Sequence, residues 1–288
     1  MKFIILAFLL CAGLQAQTKS VEREVMASFY PLAITVLNIA DGVPGVRLTT
    51  LAPQSAGCLH DYQLNPADMK KLAHASVFVV NGGGTEIFLE KALKKFPGLI
   101  IEAGKGIEFM AHNEEVDEHV WLSITNVIQQ SRTIAEALSI WDTAHKTQYM
   151  RNFENYSIKL EALKKEINEI LAPFKGREIV TFHRAFFYFA REFGINIAGV
   201  LETYPGIAPD PRTLANLITL MKTKGVKAVF TEPQYPPQFA QTLARQTGAQ
   251  VYSLDTVVSG KLEKDAYLSA MRVNAKVLVT AFSVEGKK

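Results

Sequence analysis

Three histidines and one aspartate in this chain could together bind a divalent metal ion. They are His60, His119, His183 and Asp255. Neutral imidazole nitrogens and a carboxylate form a suitable ligand set for a transition metal, above all for zinc. Because the four residues are far apart in sequence, only a fold that brings distant segments together can make them one site.

The positions of these residues relative to the predicted strands indicate a fold that would bring them together. Each follows a predicted strand, and the four strands lie at 46–51, 99–102, 178–181 and 251–254. In open parallel sheets, ligands bind beyond the carboxyl ends of the strands. A single histidine in a loop is usually solvated and binds nothing. It is the position shared by all four that predicts a common metal site.

Strand-like and helix-like segments alternate over most of the chain, which predicts an α/β fold with two mostly parallel sheets and helices on both faces. Between the two sets of segments lies a long helical pattern at 143–171. Its apolar residues recur at steps of three and four, which predicts one buried helix face. They are Phe153, Tyr156, Leu160, Leu163, Ile167 and Ile170. We interpret this helix as a single strut that joins two lobes.

The N-terminus has the pattern of a cleavable signal peptide. Lys2 precedes the apolar stretch 3–10, and Ala16 is a small residue at a plausible cleavage point. A lipid-modified cysteine normally follows a small residue, and Cys11 follows Leu10, which argues against a lipid anchor. We therefore divide the chain into a signal peptide (1–16), an N-terminal α/β lobe (17–142), a connecting helix (143–172) and a C-terminal α/β lobe (173–288).

Composition limits the functions open to the chain. The formal net charge of the 288 residues is only +3, and no cluster of Lys and Arg is present, so we expect no nucleic-acid partner. Cleavage after Ala16 would leave Cys58 as the only cysteine, which cannot form an internal disulfide. Cys58 lies two residues before His60, where a thiolate could bind a soft metal, although a lone cysteine is more often a small packed residue.

Several segments resemble one family of proteins. They are 60–68 (HDYQLNPAD), 118–123 (EHVWLS), 181–189 (TFHRAFFYF), 232–234 (EPQ), and the tail with Tyr267, Met271, Arg272 and Asn274. In order and over nearly the whole mature chain, they resemble the metal-specific substrate-binding proteins of ABC importers, of the ZnuA/TroA type.

This resemblance implies two Rossmann-like lobes joined by one long helix, with the metal held between them by His60, His119, His183 and Asp255. It also implies a periplasmic protein, not an enzyme, that delivers the ion to a permease in the inner membrane, and we expect a monomer. In this family, histidine at the position of His183 goes mainly with zinc and glutamate with manganese. That agrees with the preference of zinc for nitrogen and of manganese for oxygen.

The chain departs from the family's pattern in three places. Leu59 precedes His60 where the family usually has Pro. The segment 256–258 (TVV) follows Asp255 where the family usually has Pro-Leu-Gly. The acidic segment 111–118 is a short loop by our reading, whereas many zinc-uptake members carry a long His-rich loop there.

Three alternatives stay open at this stage. The nearest is a manganese or iron carrier of the same family. An exported zinc hydrolase would keep a water on the metal, but the chain has neither an H-E-x-x-H helix nor a G-x-S-x-G elbow. The third is a binder of an organic ligand in the same cleft. We expect acidic residues to orient the imidazoles, with Asp61, Glu118 and Glu232 as candidates, and direct metal contact by Glu232 stays open.

Overall fold

Parallel strands in the N-terminal half form a four-stranded sheet in this computed structural model, which describes residues 23–57, 59, 62–112, 115–201, 210–235 and 237–285. The strand order is β2-β1-β3-β4. The strands are β1 Arg23–Ala27, β2 Val46–Thr50, β3 Val77–Val80 and β4 Leu99–Glu102. All four residues of β3 (VFVV) are buried, as expected for a central strand covered on both faces.

The C-terminal half contains a second four-stranded parallel sheet, in the order β10-β9-β7-β8. Its strands are β7 Glu178–Thr181, β8 Asn196–Val200, β9 Ala228–Thr231 and β10 Gln250–Ser253. Strands β7 and β9 are neighbours, so the residues that follow them lie side by side at one edge of the sheet. The predicted α/β class with mostly parallel sheets is confirmed.

Helices connect and cover both sheets. In the N-terminal half they are α1 Tyr30–Ile39, α2 Pro66–His74, α3 Glu90–Leu93 and α4 Ile124–Trp141. The C-terminal half contributes α6 Phe187–Phe193, α7 Pro211–Lys224, α8 Gln238–Thr247 and α9 Ala266–Glu285. In the described part of the chain, no helix combines the length and the apolar character that crossing a bilayer requires.

The long helix α5 runs from Lys146 to Leu171 and connects the two halves. At 1.5 Å per residue its 26 residues span about 39 Å. Its buried positions include five of the six apolar residues that the periodicity predicted, while Ile170 is only partly buried and Leu171 is buried beside it. One apolar core passes through both sheets and this helix, so α5 is part of the core of both halves.

One predicted loop is an element of regular structure. The acidic segment 111–118 forms most of an antiparallel hairpin, with strands β5 Met110–His112 and β6 Glu115–Asp117. The prediction of a loop was therefore wrong, although Glu115 and Val116 are exposed. Three-residue strands contain too few alternations for the period-two signal to stand out. Between β3 and β4, a 3₁₀ turn, Ile87–Leu89, is followed by the single turn α3.

The start of α2 allows a direct test of local helix stability. Asn65 caps the helix by accepting hydrogen bonds from the amides of Ala67 and Asp68, and the Asp68 carboxylate accepts one from the Asn65 amide. We expect Asn65→Ala to lower the free energy of unfolding by about 1 kcal/mol. Asn65→Ser should retain most of this unfolding free energy, because serine caps nearly as well. If urea denaturation showed that both variants lose the same unfolding free energy, this role of the cap would be contradicted.

Candidate metal site

His119 is positioned by the end of the hairpin. Strand β6 ends at Asp117, and His119 directly precedes the 3₁₀ turn Val120–Leu122. One oxygen of Asp117, Oδ1, accepts hydrogen bonds from the His119 amide at 3.0 Å and from its ring Nδ1 at 2.9 Å. Both side chains are buried. This carboxylate therefore sets both the backbone and the ring orientation of His119.

The identity of this carboxylate corrects one of the sequence predictions. Glu118 was one of three candidates for orienting an imidazole, but the residue whose carboxylate is hydrogen-bonded to the His119 ring is Asp117. The backbone carbonyl of Glu118 instead accepts a hydrogen bond from the buried Asn81 side chain at 3.0 Å. Without the register of the β5–β6 hairpin, the sequence alone could not decide which of two adjacent acidic residues faces inward.

His183 is positioned by two neighbouring strands of the second sheet. It lies two residues beyond β7, and its ring Nδ1 is hydrogen-bonded to the carboxylate of Glu232, the first residue after β9. Both side chains are almost completely buried. Glu232 was one of the predicted orienting residues, and that prediction is confirmed. Its other oxygen, Oε2, accepts a hydrogen bond from Gln234 at 2.8 Å.

These carboxylates determine the tautomer of both rings. A carboxylate only accepts hydrogen bonds, so each imidazole carries its proton on Nδ1 and presents the lone pair of Nε2. The two Nε2 atoms face each other at 3.4 Å. Two lone pairs at this distance do not attract each other. A cation bound by both nitrogens would hold them together. Two nitrogens bound to one tetrahedral zinc at about 2.0–2.1 Å would lie roughly 3.3 Å apart.

Aromatic rings pack beside this histidine pair. Trp121 lies next to the His119 ring, with 5.2 Å between ring centroids, and Tyr235 lies next to the His183 ring at 5.6 Å. Phe29 packs edge-on against Trp121. Apart from the two carboxylates, the pair has aromatic neighbours and is buried, so an electrostatic interaction with a bound ion is stronger here than in water.

Asp255 lies two residues beyond β10 and is held by its backbone. Asn274 on α9 accepts a hydrogen bond from the Asp255 amide at 2.8 Å and donates one to its carbonyl at 2.7 Å. Burial raises the pKa of the Asp255 carboxyl, and the hydrogen bond from the Val257 amide to Oδ1 partly opposes that rise. Within the described residues, no three His, Cys, Asp or Glu side chains form a group that could hold a metal ion.

The structure therefore brings two of the predicted ligands together, His119 and His183. Asp255 is not in contact with them as a third member of a ligand group. His60, together with Cys58 and Asp61 beside it, lies outside the described residues. Strand β2, which precedes these three residues in the sequence, is paired directly with β1.

Tyr188 connects the hairpin to the C-terminal half. Its hydroxyl accepts a hydrogen bond from the Met110 amide and donates one to the Asp117 carbonyl, both at 2.7 Å. Burial raises the pKa of this phenol to about 12, so it stays neutral. Tyr188 thus links the helix after His183 to the strand that orients His119.

We expect Tyr188→Phe to lower the free energy of unfolding by about 2 kcal/mol, because it removes the hydrogen-bond partner of two backbone groups. Urea denaturation measures this change. The matched control is Tyr252→Phe, whose hydroxyl makes one long hydrogen bond, 3.5 Å, at the surface. A loss for Tyr188→Phe no larger than that of the control would contradict the role of Tyr188 as a link.

Comparison with known proteins identifies the family. The profile of the family described as ZnuA, "Zinc-uptake complex component A periplasmic", matches residues 25–281. The chain belongs to the ZnuA family. A ZnuA relative from Brucella abortus (strain 2308), named high-affinity zinc uptake system protein, is 30% identical over 302 residues, which cover 88% of this chain and 89% of the relative. The predicted resemblance is confirmed.

Solved structures agree with this membership of the ZnuA family. A crystal structure of ZnuA matches with a TM-score of 0.80 at 28% identity, covering 90% of this chain and 98% of that chain. The SBP FpvC of Pseudomonas aeruginosa, solved in complex with Ni²⁺, matches with a TM-score of 0.83 at 28% identity, covering 93% of this chain and 99% of that chain. FpvC has also been solved with Mn²⁺.

Membership of the ZnuA family also decides between classes of function. The family consists of periplasmic components of metal uptake and not of enzymes, as the sequence analysis predicted. The alternative of an exported zinc hydrolase is therefore dropped.

Proposed function

We propose that this protein captures a zinc ion between its two lobes in the periplasm and delivers it to an ABC-type permease in the inner membrane. The metal ligands in this proposal are His60, His119, His183 and Asp255. Three neutral imidazoles and one carboxylate would reduce the charge of the buried centre from +2 to +1, which lowers the free energy needed to bury it.

One observation carries this proposal more than any other. The Nε2 atoms of His119 and His183 face each other at 3.4 Å, and each ring is held in the metal-binding tautomer by a buried carboxylate. Partners that hold the second ring nitrogen are a regular feature of metal-binding histidines. Family membership supports the same conclusion from an independent direction.

The donor atoms favour zinc over manganese. Asp117 and Glu232 are hydrogen-bonded to the Nδ1 atoms, so the histidine pair offers its two Nε2 nitrogens to a metal. Zinc suits nitrogen ligands, whereas manganese prefers oxygen. Because FpvC has been solved with Ni²⁺ and with Mn²⁺, related sites accept other divalent ions, and competition decides the preference. With equal concentrations of Zn²⁺ and Mn²⁺, we expect the chain to retain zinc. Retention of manganese after dialysis would favour the manganese or iron carrier.

The proposal includes export and domain organisation. Residues 1–16 would be removed as a signal peptide, and the mature chain would consist of the lobes 17–142 and 173–288 joined by the helix 143–172. No part of this arrangement requires a second copy of the chain, so the proposed carrier is a monomer.

Growth under zinc limitation tests the proposed function. A host that lacks its own copy of this gene should grow poorly in medium depleted of zinc by a chelator. The parent gene and a His74→Ala variant, changed at an exposed position at the end of α2, should restore growth. A His119→Ala/His183→Ala variant should not, although added zinc should rescue it. Restoration of growth by the double variant in depleted medium would contradict the proposal.

A further inference from the structure

Thr256 is buried at the point where segments carrying three of the proposed ligands meet. We infer that Thr256 is a positioning residue that holds His119, His183 and Asp255 in one arrangement. This inference rests on the proposed metal site and deepens it. Thr256 itself is not proposed to contact the metal.

One connection runs from the Thr256 hydroxyl to His183. Gln234 donates a hydrogen bond from Nε2 to Thr256 Oγ1 at 3.0 Å, and the same amide nitrogen donates to Glu232 Oε2 at 2.8 Å. The other oxygen of Glu232 is hydrogen-bonded to His183 Nδ1. The Thr256 hydroxyl therefore holds the Gln234 amide in place. This amide holds the Glu232 carboxylate, which in turn orients the His183 imidazole.

A second connection runs from the Thr256 backbone to the segment of His119. The Thr256 carbonyl accepts a hydrogen bond from Trp121 Nε1 at 2.9 Å. Trp121 follows His119 by two residues, and their rings are in contact. The Trp121 carbonyl in turn accepts a hydrogen bond from the buried Tyr267 hydroxyl at 2.9 Å, so this segment is held from two sides.

The third connection is covalent, because Thr256 directly follows Asp255. The next residue, Val257, has φ of 58°, and it is the only non-glycine residue with positive φ in the described part of the chain. A β-branched residue adopts this left-handed conformation only when its surroundings impose it. Here the Asp255 carboxylate accepts a hydrogen bond from the Val257 amide at 2.7 Å, and Trp121 holds the carbonyl before it.

These contacts connect the two histidines through Thr256. The series runs from His119 through Trp121 to Thr256, then through Gln234 and Glu232 to His183, whose Nε2 faces that of His119. The Thr256 hydroxyl is connected to His183 by hydrogen bonds through the partly buried Gln234 and the buried Glu232, so its loss should loosen His183 without removing any metal ligand. The readout that distinguishes this role from a purely structural one is zinc affinity compared with the stability of the metal-free protein.

The test measures zinc affinity by competition with a chromogenic chelator, using the mature chain 17–288. Thr256→Val removes the hydroxyl at nearly constant volume, and we expect it to weaken zinc binding by about tenfold or more. Thr256→Ser restores the hydroxyl and should stay within about threefold of the parent. The matched control is Thr231→Val, because the buried Thr231 hydroxyl has no hydrogen-bond partner among the described residues. It should bind zinc like the parent.

A double-variant cycle tests the route through Gln234. Gln234→Met should weaken zinc binding about as much as Thr256→Val. The double variant should bind zinc as tightly as the single variant with the lower zinc affinity, because both changes break the same connection. Additive losses would overturn the route through Gln234. If Thr256→Val does not fold, Gln234→Met alone must lose about tenfold for the inference to stand.

The outcomes separate this inference from the proposed function. A parent chain that binds zinc, together with a Thr256→Val variant that binds it equally tightly, overturns the inference alone. A Thr256→Ser variant as weak as Thr256→Val, or an equal loss in Thr231→Val, also overturns it. A parent chain that binds no zinc overturns the proposed function and this inference with it.

Discussion

Replacing His119 and His183 together with alanine should weaken zinc binding by about 1,000-fold or more. A four-ligand zinc site contributes on the order of 10–16 kcal/mol, so the loss of two ligands removes several kcal/mol of binding free energy. The Nε2 atoms of these residues lie 3.4 Å apart, and the described residues contain no separate group of three His, Cys, Asp or Glu side chains that could hold the ion. Competition with a high-affinity chelator at pH 7.5 measures the change.

The control for this prediction must separate the loss of ligands from the loss of fold. The double variant leaves the carboxylates of Asp117 and Glu232 buried without their imidazole partners, which destabilises the metal-free protein. Circular dichroism should therefore show that the variant is folded at the assay temperature. His74→Ala should bind zinc like the parent. A folded double variant that binds zinc within tenfold of the parent would contradict the assignment of both residues.

The second large effect concerns Glu86, which is buried beyond the carboxyl ends of β1 and β3. Its carboxylate accepts hydrogen bonds from the Ser28 hydroxyl and the amides of Asn81 and Gly82. Burial nevertheless raises the pKa of Glu86 from 4.5 to about 7, because these hydrogen bonds do not replace full hydration. Between these two values, the folded state binds more protons than the unfolded state.

The sign of the pH effect follows from that difference. Stability contributed by Glu86 is fully present below pH 4.5 and is lost as the pH rises through about 7. The loss amounts to about 3 kcal/mol. Between pH 5 and pH 8, the metal-free parent should lose most of this unfolding free energy relative to a Glu86→Gln variant, whose side chain does not titrate.

Urea denaturation of metal-free protein at several pH values measures the Glu86 effect. Glu90→Gln is the matched control, because Glu90 is exposed and paired with Lys94 on the helix surface. The control retains Glu86, so it should also lose unfolding free energy between pH 5 and pH 8. A difference between the parent and Glu86→Gln that is constant from pH 5 to pH 8 would contradict the raised pKa.

Much of the fold could be predicted from periodicity. The alternation of strands and helices predicts both parallel sheets, and the steps of three and four along α5 predict its buried face. Element ends were less predictable. Strand β1 ends at Ala27 and α1 begins at Tyr30, because Pro31 favours the first turn of a helix. Apolar residues continue across this boundary, so hydrophobicity does not mark it.

The candidate site was predictable in part. His119 and His183 could be singled out because each follows a strand, and the structure brings them together. Asp117 was missed, since its inward orientation depends on the register of a hairpin too short to show a pattern. Thr256 was noted only as a departure from the family's pattern. Its hydrogen bond with Trp121 joins segments that lie far apart in sequence. Its hydrogen bond with Gln234 joins the segments that follow two different strands, β10 and β9.

The most direct test of the central claim is X-ray absorption at the zinc edge, on the mature chain 17–288 loaded with one zinc per molecule. We predict four nitrogen or oxygen neighbours at about 2.0–2.1 Å, with the outer scattering of three imidazoles. Replacing His60 with alanine should reduce that scattering to two imidazoles. A sulfur neighbour at about 2.3 Å would assign Cys58 as a ligand. That result, or fewer than three imidazoles in the parent, would contradict the proposed site.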